Sequence, residues 1–250
     1  MHASTGPALT LHVLPPSHPC KTVETALALK GLQFERVVLA PGTHNAEMEA
    51  IYGEGNATVP GLLVGDEPVH GSRAILERLE QLAPEPALYP EPIAEAVREA
   101  ERWGDEELQD LGRRFPWGAM HFRPESMGTF GGGGELDPPG TDFAMRFVHG
   151  SWKYHGISCE RLAADLAGLP AKIEHIEQLA ADGVIGGEQP NAADLQIGAT
   201  IRVLLTVGDL QPLLDGTAAE RIARRWFPDY EGEILAGAFP ASWLRTASPT

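Results

Sequence analysis

Basic residues are scarce in this chain of 250 residues. Lys and Arg number 19 against 35 Asp and Glu, a formal net charge of −16. So acidic a surface repels nucleic acid and anionic membrane, and it serves mainly solubility. Cysteine is nearly absent: only Cys20 and Cys159, far apart in sequence. Two cysteines allow one disulfide at most, and a reducing compartment leaves both thiols free. The nine histidines are scattered, and no Cys/His cluster has zinc spacing. No apolar run approaches the ~20 residues of a transmembrane helix. The N-terminus lacks the basic-then-apolar pattern of a signal peptide, so a cytoplasmic protein is expected. What is present is ordinary for a globular protein: 43% hydrophobic and 22% charged residues, in a length that suits one large domain or two.

Residues 1–7 read as a disordered tail, and residues 9–14 are β-capable and end at Pro15-Pro16. Ser17-His18-Pro19-Cys20 then opens a helix. Val23, Ala26, Leu27 and Leu29 form its apolar face, and Lys30-Gly31 closes it. Residues 34–39 form a second strand, with Val37-Val38-Leu39 as a buried run, and residues 47–52 a short helix. Pro60 lacks an amide donor, which suits the first residue of a strand. The apolar run 62–64 follows it, then a Gly65-Asp66 turn, a second run at 68–70, and a helix from Gly71 with Ile75, Leu76, Leu79 and Leu82 on one face. Pro84, Pro86, Pro90 and Pro92 mark a linker over 83–92.

Beyond the linker the β signals stop. Residues 93–114 carry a helical pattern through Val97, Ala100, Trp103, Leu108 and Leu111, and Pro116 is expected to break it. Residues 121–142 are the least regular part. Gly131-Gly132-Gly133-Gly134 suits a flexible loop but not a phosphate loop, because no Lys-Ser/Thr follows it and no strand precedes it. Residues 160–179 are helical again. Asn191 is a good N-cap, with Asp194 placed to return a bond to its backbone. A last helix covers about 216–226, and residues 229–250 wrap back over the domain.

Val59-Pro60 before a hairpin, followed by Gly71-Ser72-Arg73-Ala74-Ile75, resembles the thioredoxin-like N-terminal domain of the cytosolic glutathione transferases. Pro190-Asn191-Ala192-Ala193-Asp194 resembles the Pro-(Ser/Thr)-x-x-Asp capping motif of that family's helical domain, and it stands in the right order. The resemblance implies a thioredoxin-like α/β domain over residues 1–82, the Pro-rich linker, and an all-helical domain over 93–250 with an irregular insert at about 121–155. It implies a homodimer that conjugates a low-molecular-weight thiol, glutathione first, to an apolar electrophile in detoxification. Two alternatives stand beside this: a thiol-disulfide reductase or dehalogenase-like enzyme working through Cys20, and a non-catalytic binding module of the same fold.

By this resemblance, Ser17, His18, Val59, Pro60, Gly71, Ser72 and Arg73 surround the cosubstrate. A cis Val59-Pro60 bond would leave the Val59 N–H and C=O bare for the cysteinyl backbone. Ser72 would hold the γ-glutamyl carboxylate, helped by its helix N-terminus. Arg73 also reads as a surface charge. Gly71 departs from the family's acidic residue and leaves the ligand's ammonium without its usual partner. Ser17 stands at the thiol-activating position, where a hydroxyl and helix N–H groups lower a thiol pKa; a plain N-cap is its other reading. Cys20, in a first helical turn beside Lys21, reads either as a nucleophile or as a small buried hydrophobe. His18 reads as a base or as an exposed loop histidine. Phe115, Trp117, Met120, His121 and Phe122 read either as the wall of the electrophile site or as core.

Overall fold

The strands Leu9–Val13 (β1), Glu35–Val38 (β2), Gly61–Val64 (β3) and Glu67–His70 (β4) form one mixed sheet in the order β2-β1-β3-β4. β1 runs parallel to β2 and antiparallel to β3, and β3 and β4 make the hairpin around Gly65-Asp66. This is a computed structural model that describes residues 6–247. Most of the expected N-terminal tail, residues 1–5, lies outside them.

His18–Leu29 (α1) and Ser72–Leu82 (α3) cover one face of the sheet, burying Val23, Ala26, Leu27, Ile75, Leu76 and Leu79 against Leu11 and Val13. His44–Tyr52 (α2) covers the other face, where Met48 and Tyr52 pack with Leu39, Val37 and Leu63. Gly61 has to be bare there, because a Cβ would meet the Tyr52 ring at 2.3 Å. The expected buried run at 37–39 is corrected: β2 is an edge strand, so only Leu39 is fully buried, and Val38 is 53% exposed. The Pro-rich segment is pinned down. Lys30 Nζ donates to Glu80 Oε2 at 2.7 Å and to the Ala83 and Pro86 carbonyls, while Glu80 accepts from the Leu88 N–H.

The rest is helical: Ala94–Trp103 (α4), Gln109–Phe122 (α5), Pro138–Tyr154 (α6), Cys159–Ala181 (α7), Ala192–Leu204 (α8), Gln211–Leu214 (α9), Ala218–Trp226 (α10) and Ala241–Ala247 (α11). A π-helical stretch, Gly104–Leu108, joins α4 to α5. Every residue of α8 except Arg202 is buried, so this helix is the centre of the helical region. Its capping box is complete: Asn191 Oδ1 accepts from the Asp194 N–H at 3.0 Å, and Asp194 Oδ2 accepts from the Asn191 N–H at 3.1 Å. α1 lies against α8, where Thr22 Oγ1 donates to the Leu195 carbonyl.

Two expectations are corrected here. Pro116 does not end its helix; it is buried inside α5 between the buried Phe115 and Ala119, and core packing carries the helix through the lost backbone bond. The 121–155 stretch is mostly ordered helix: a 3-10 segment at Pro124–Gly131 and then the 17-residue α6. Pro138 and Pro139 occupy the first turn of α6, where no amide donor is needed. Asp137 caps that helix by accepting from the Gly140 N–H.

Candidate functional site

Ser17 sits at the N-cap position of α1, held by its N–H to the Leu14 carbonyl at 2.8 Å, yet its side chain makes no cap bond. Its hydroxyl is half-buried beside the Cys20 thiol, in position to donate to it. The loop before it is braced from the far end of the chain, where the Tyr230 hydroxyl donates to the Pro16 carbonyl. Cys20 itself is 2% exposed, and burial pushes its thiol up to about 12. The nucleophile reading of Cys20 is therefore corrected: a thiol held neutral in the core neither ionises nor meets a substrate.

His18 is also corrected from an exposed loop histidine. It is the first residue of α1, is buried, and its ring packs on Gly112 of α5. Burial and the nearby Arg113 charge hold its pKa well below the usual histidine range, so it is neutral.

The Val59-Pro60 bond is cis. On either side the chain is tied: His70 Nε2 donates to the Thr58 carbonyl at 2.7 Å, and the Gly71 N–H donates to the Pro60 carbonyl at 3.0 Å. Among the described residues no hydrogen bond engages the Val59 N–H or C=O. Val59 thus offers a donor and an acceptor of backbone type in one short segment.

Next to it a cleft of about 280 Å³ opens at the N-terminus of α3. Gly71, Ser72, Arg73 and Glu77 form one side, and Asp105 of the π-helical stretch reaches it from the helical region. Gly71 takes φ 89° and ψ 145°, a left-handed backbone that side chains other than glycine rarely adopt. Ser72 is 3% exposed, and its hydroxyl has no partner among the described residues. Asp105 Oδ1 accepts from Gln109 Nε2 and from Gln196 Nε2, the latter at 3.3 Å. Burial raises its carboxyl pKa.

Of the expected electrophile wall, Phe115 and Met120 are core. Phe115 is fully enclosed against Phe239, and Met120 is buried, so neither offers a surface. Trp117 is half-buried and its carbonyl accepts from Trp152 Nε1. His121 stacks on Trp152 with ring centroids 4.2 Å apart. Sequence reading missed Asp105, Tyr230 and His155; His155, at the end of α6, lies close enough to bear on the His18 charge. None of the three belongs to a motif, and only the packing of distant segments brings them to the site. Among the described residues no group of three His, Cys, Asp or Glu is arranged to hold a metal ion, and no helix is long and apolar enough to cross a membrane.

Residues 11–87 match the family model of the glutathione S-transferase N-terminal domain. No curated protein matches the sequence. Among solved structures, a maleyl pyruvate isomerase, described as a bacterial glutathione S-transferase of the zeta class, aligns with a TM-score of 0.57 at 18% identity, covering 96% of this chain and 98% of that one. A beta-etherase from Sphingobium sp. aligns at 0.53 and 18% identity, covering 88% and 99%. A glutathione S-transferase from Methylobacterium radiotolerans, in complex with glutathione sulfonate, aligns at 0.50 and 21% identity, covering 88% and 90%. At these identities the likeness is one of fold, and it runs through both the sheet and the helices.

Proposed function

From the match of residues 11–87 to the glutathione S-transferase N-terminal domain and from the fold shared with such proteins, we propose that this chain is a glutathione transferase that joins the sulfur of glutathione to a small apolar electrophile. The observation that carries this reading is Ser72: a residue 3% exposed, at the head of α3, on the wall of a cleft, whose hydroxyl has no partner among the described residues. Leaving a polar group buried and unpaired costs roughly 1–3 kcal/mol, so a ligand that completes its hydrogen bond is favoured.

Glutathione suits the surrounding groups. Its γ-glutamyl carboxylate meets the Ser72 hydroxyl and the positive end of α3. Its cysteinyl backbone pairs with the Val59 N–H and C=O. Its sulfur lies at the head of α1, where the Ser17 hydroxyl and first-turn N–H groups lower the thiol pKa. The thiol proton passes to solvent. The thiolate then attacks the electrophilic carbon, a C–S bond forms, and the leaving group departs with the electron pair of its broken bond. Trp117 and His121 remain the candidates to touch the electrophile. The enzyme works as a homodimer in the cytoplasm.

The test is turnover of glutathione with an aryl halide. Ser17→Ala lowers it by about 10–1000-fold, on the scale of losing one oxyanion-type donor. Cys20→Ala leaves it within about twofold, because a buried neutral thiol is only packing. Wild-type protein that shows no turnover with glutathione overturns the reading, and the non-catalytic module takes its place.

A further inference from the structure

Between the end of α2 and the start of β3 the chain belongs to no strand, and side chains hold it instead. Asn56 Nδ2 donates to the Tyr52 carbonyl at 2.6 Å, and Asn45 Nδ2 donates to the Ala57 carbonyl at 2.9 Å. His70 Nε2 takes the Thr58 carbonyl at 2.7 Å, and the Gly71 N–H takes the Pro60 carbonyl at 3.0 Å. Of the carbonyls from Ala57 to Pro60, Val59 alone is left without a donor among the described residues. Two neighbours in sequence, His70 through its ring and Gly71 through its backbone, thus occupy the carbonyls on either side of it. The His70 backbone is fixed by its pairing with Gly61 in the β3-β4 hairpin, and the Tyr52 ring stands beside its ring with centroids 6.0 Å apart. Tyr52 is fixed in turn by a 2.8 Å hydrogen bond between its hydroxyl and His12 Nδ1. A carbonyl only accepts, so Nε2 of His70 carries a proton.

We propose that His70 is a positioning residue for the bound thiol: by holding the Thr58 carbonyl it keeps the Val59 carbonyl aimed at the ligand and open to a backbone-type N–H. This rests on the thiol-transferase reading above. Without the ring, the stretch between the Asn45 anchor at Ala57 and the Gly71 anchor at Pro60 has no tie of its own. The Thr58 and Val59 carbonyls then compete for the same donor, and Val59 loses its fixed direction. An acceptor held in place before the ligand arrives spares the cost of ordering it on binding. His70 also borders the cleft at the head of α3, so the ring that ties Thr58 stands on the path between Val59 and Ser72.

The test is calorimetric titration with two probes, glutathione and its depsipeptide analogue, in which an ester oxygen replaces the cysteinyl N–H. Wild-type protein is expected to prefer glutathione by about fivefold, the scale of one hydrogen bond. His70→Leu removes the tie to Thr58 and should bring that preference close to one. His70→Gln can place an amide N–H near the position of the imidazole Nε2–H and should restore most of it. Should His70→Leu not fold, His70→Asn, whose amide falls short of Thr58, is read in its place. If the variant without the tie weakens both probes equally and keeps the preference, His70 serves only the fold and the assignment falls. It falls too if that variant keeps the wild-type affinities, if His70→Gln restores nothing, or if wild type binds both probes alike, the transferase reading standing in each case. If wild type binds neither probe, the transferase reading falls and carries this assignment with it.

Discussion

The His18 imidazole rests directly on the bare backbone of Gly112: a Cβ at Gly112 would lie 2.8 Å from ring atoms Cε1 and Nε2 and 3.1 Å from Val203 Cγ1. This contact joins the head of α1 to the first turn of α5. The ring is 4% exposed and has no room to swing aside. Gly112→Ala would improve helix propensity, but overpacking a full core costs about 1–3 kcal/mol and wins here. The variant is expected to melt lower than wild type and, because His18 follows Ser17, to lose turnover as well. An unchanged melting temperature would show that the α1–α5 contact is loose.

Ser72→Ala separates binding from stability. The hydroxyl is buried without a partner among the described residues, so its removal relieves a desolvation penalty, and the free protein should be as stable as wild type or more so. Glutathione affinity should fall by about tenfold for the lost hydrogen bond to a charged group. A clear drop in the melting temperature of the unliganded variant would mean that the hydroxyl serves the fold instead.

Glu101 makes stability depend on pH. It is 1% exposed on α4, its carboxylate accepts from the Tyr89 hydroxyl at 2.9 and 3.0 Å, and burial pushes its pKa up to about 8. The native state therefore holds a proton that the unfolded state, with an ordinary carboxyl near 4.5, gives up. The stabilisation is fully present below the unfolded pKa and is lost as pH rises through about 8. Glu101→Gln stays neutral throughout and can still accept from Tyr89. Its stability relative to wild type should rise between pH 5 and pH 9, read as denaturant midpoints. Parallel pH curves for the two proteins would contradict the buried protonated carboxyl.

Asn191→Ala is expected to destabilise the protein toward the upper end of the usual cap range of about 0.5–2 kcal/mol. The side chain does more than cap α8, since its Nδ2 also donates to the Val184 carbonyl at 2.7 Å. The loss also disturbs Asp194, which accepts from the Gly186 N–H in the same loop. A denaturant midpoint within error of wild type would place the start of cooperative structure elsewhere.

Local chemistry made much of this protein legible in one dimension. The Pro60 strand start, the Gly65-Asp66 turn and the apolar spacing of α1 and α3 each act within a few residues, and all appear where their patterns put them. The Asn191–Asp194 capping box is likewise a four-residue device, and it is intact. The misreadings have a common cause. Pro116 was judged by what proline does to an isolated helix, and burial of α5 overrode it; residues 121–142 were judged by their glycines and irregular pattern, although most of that stretch forms helix, with α6 starting at Pro138.

At the candidate site, sequence alone could propose residues but not say which of them reach the cleft. The motif positions of Ser17, Val59 and Ser72 are set by neighbours in the chain, and among the described residues Val59 and Ser72 keep uncommitted polar groups. Burial is a property of the whole packing. It turned Cys20 from a possible nucleophile into a neutral core thiol, closed Phe115 and Met120 into the interior, and pressed His18 against Gly112. It also brought Asp105 across to the head of α3 and Tyr230 back to the Pro16 carbonyl. No periodicity or spacing encodes those meetings, because each depends on where two distant segments come to rest against α1, α3 and α8.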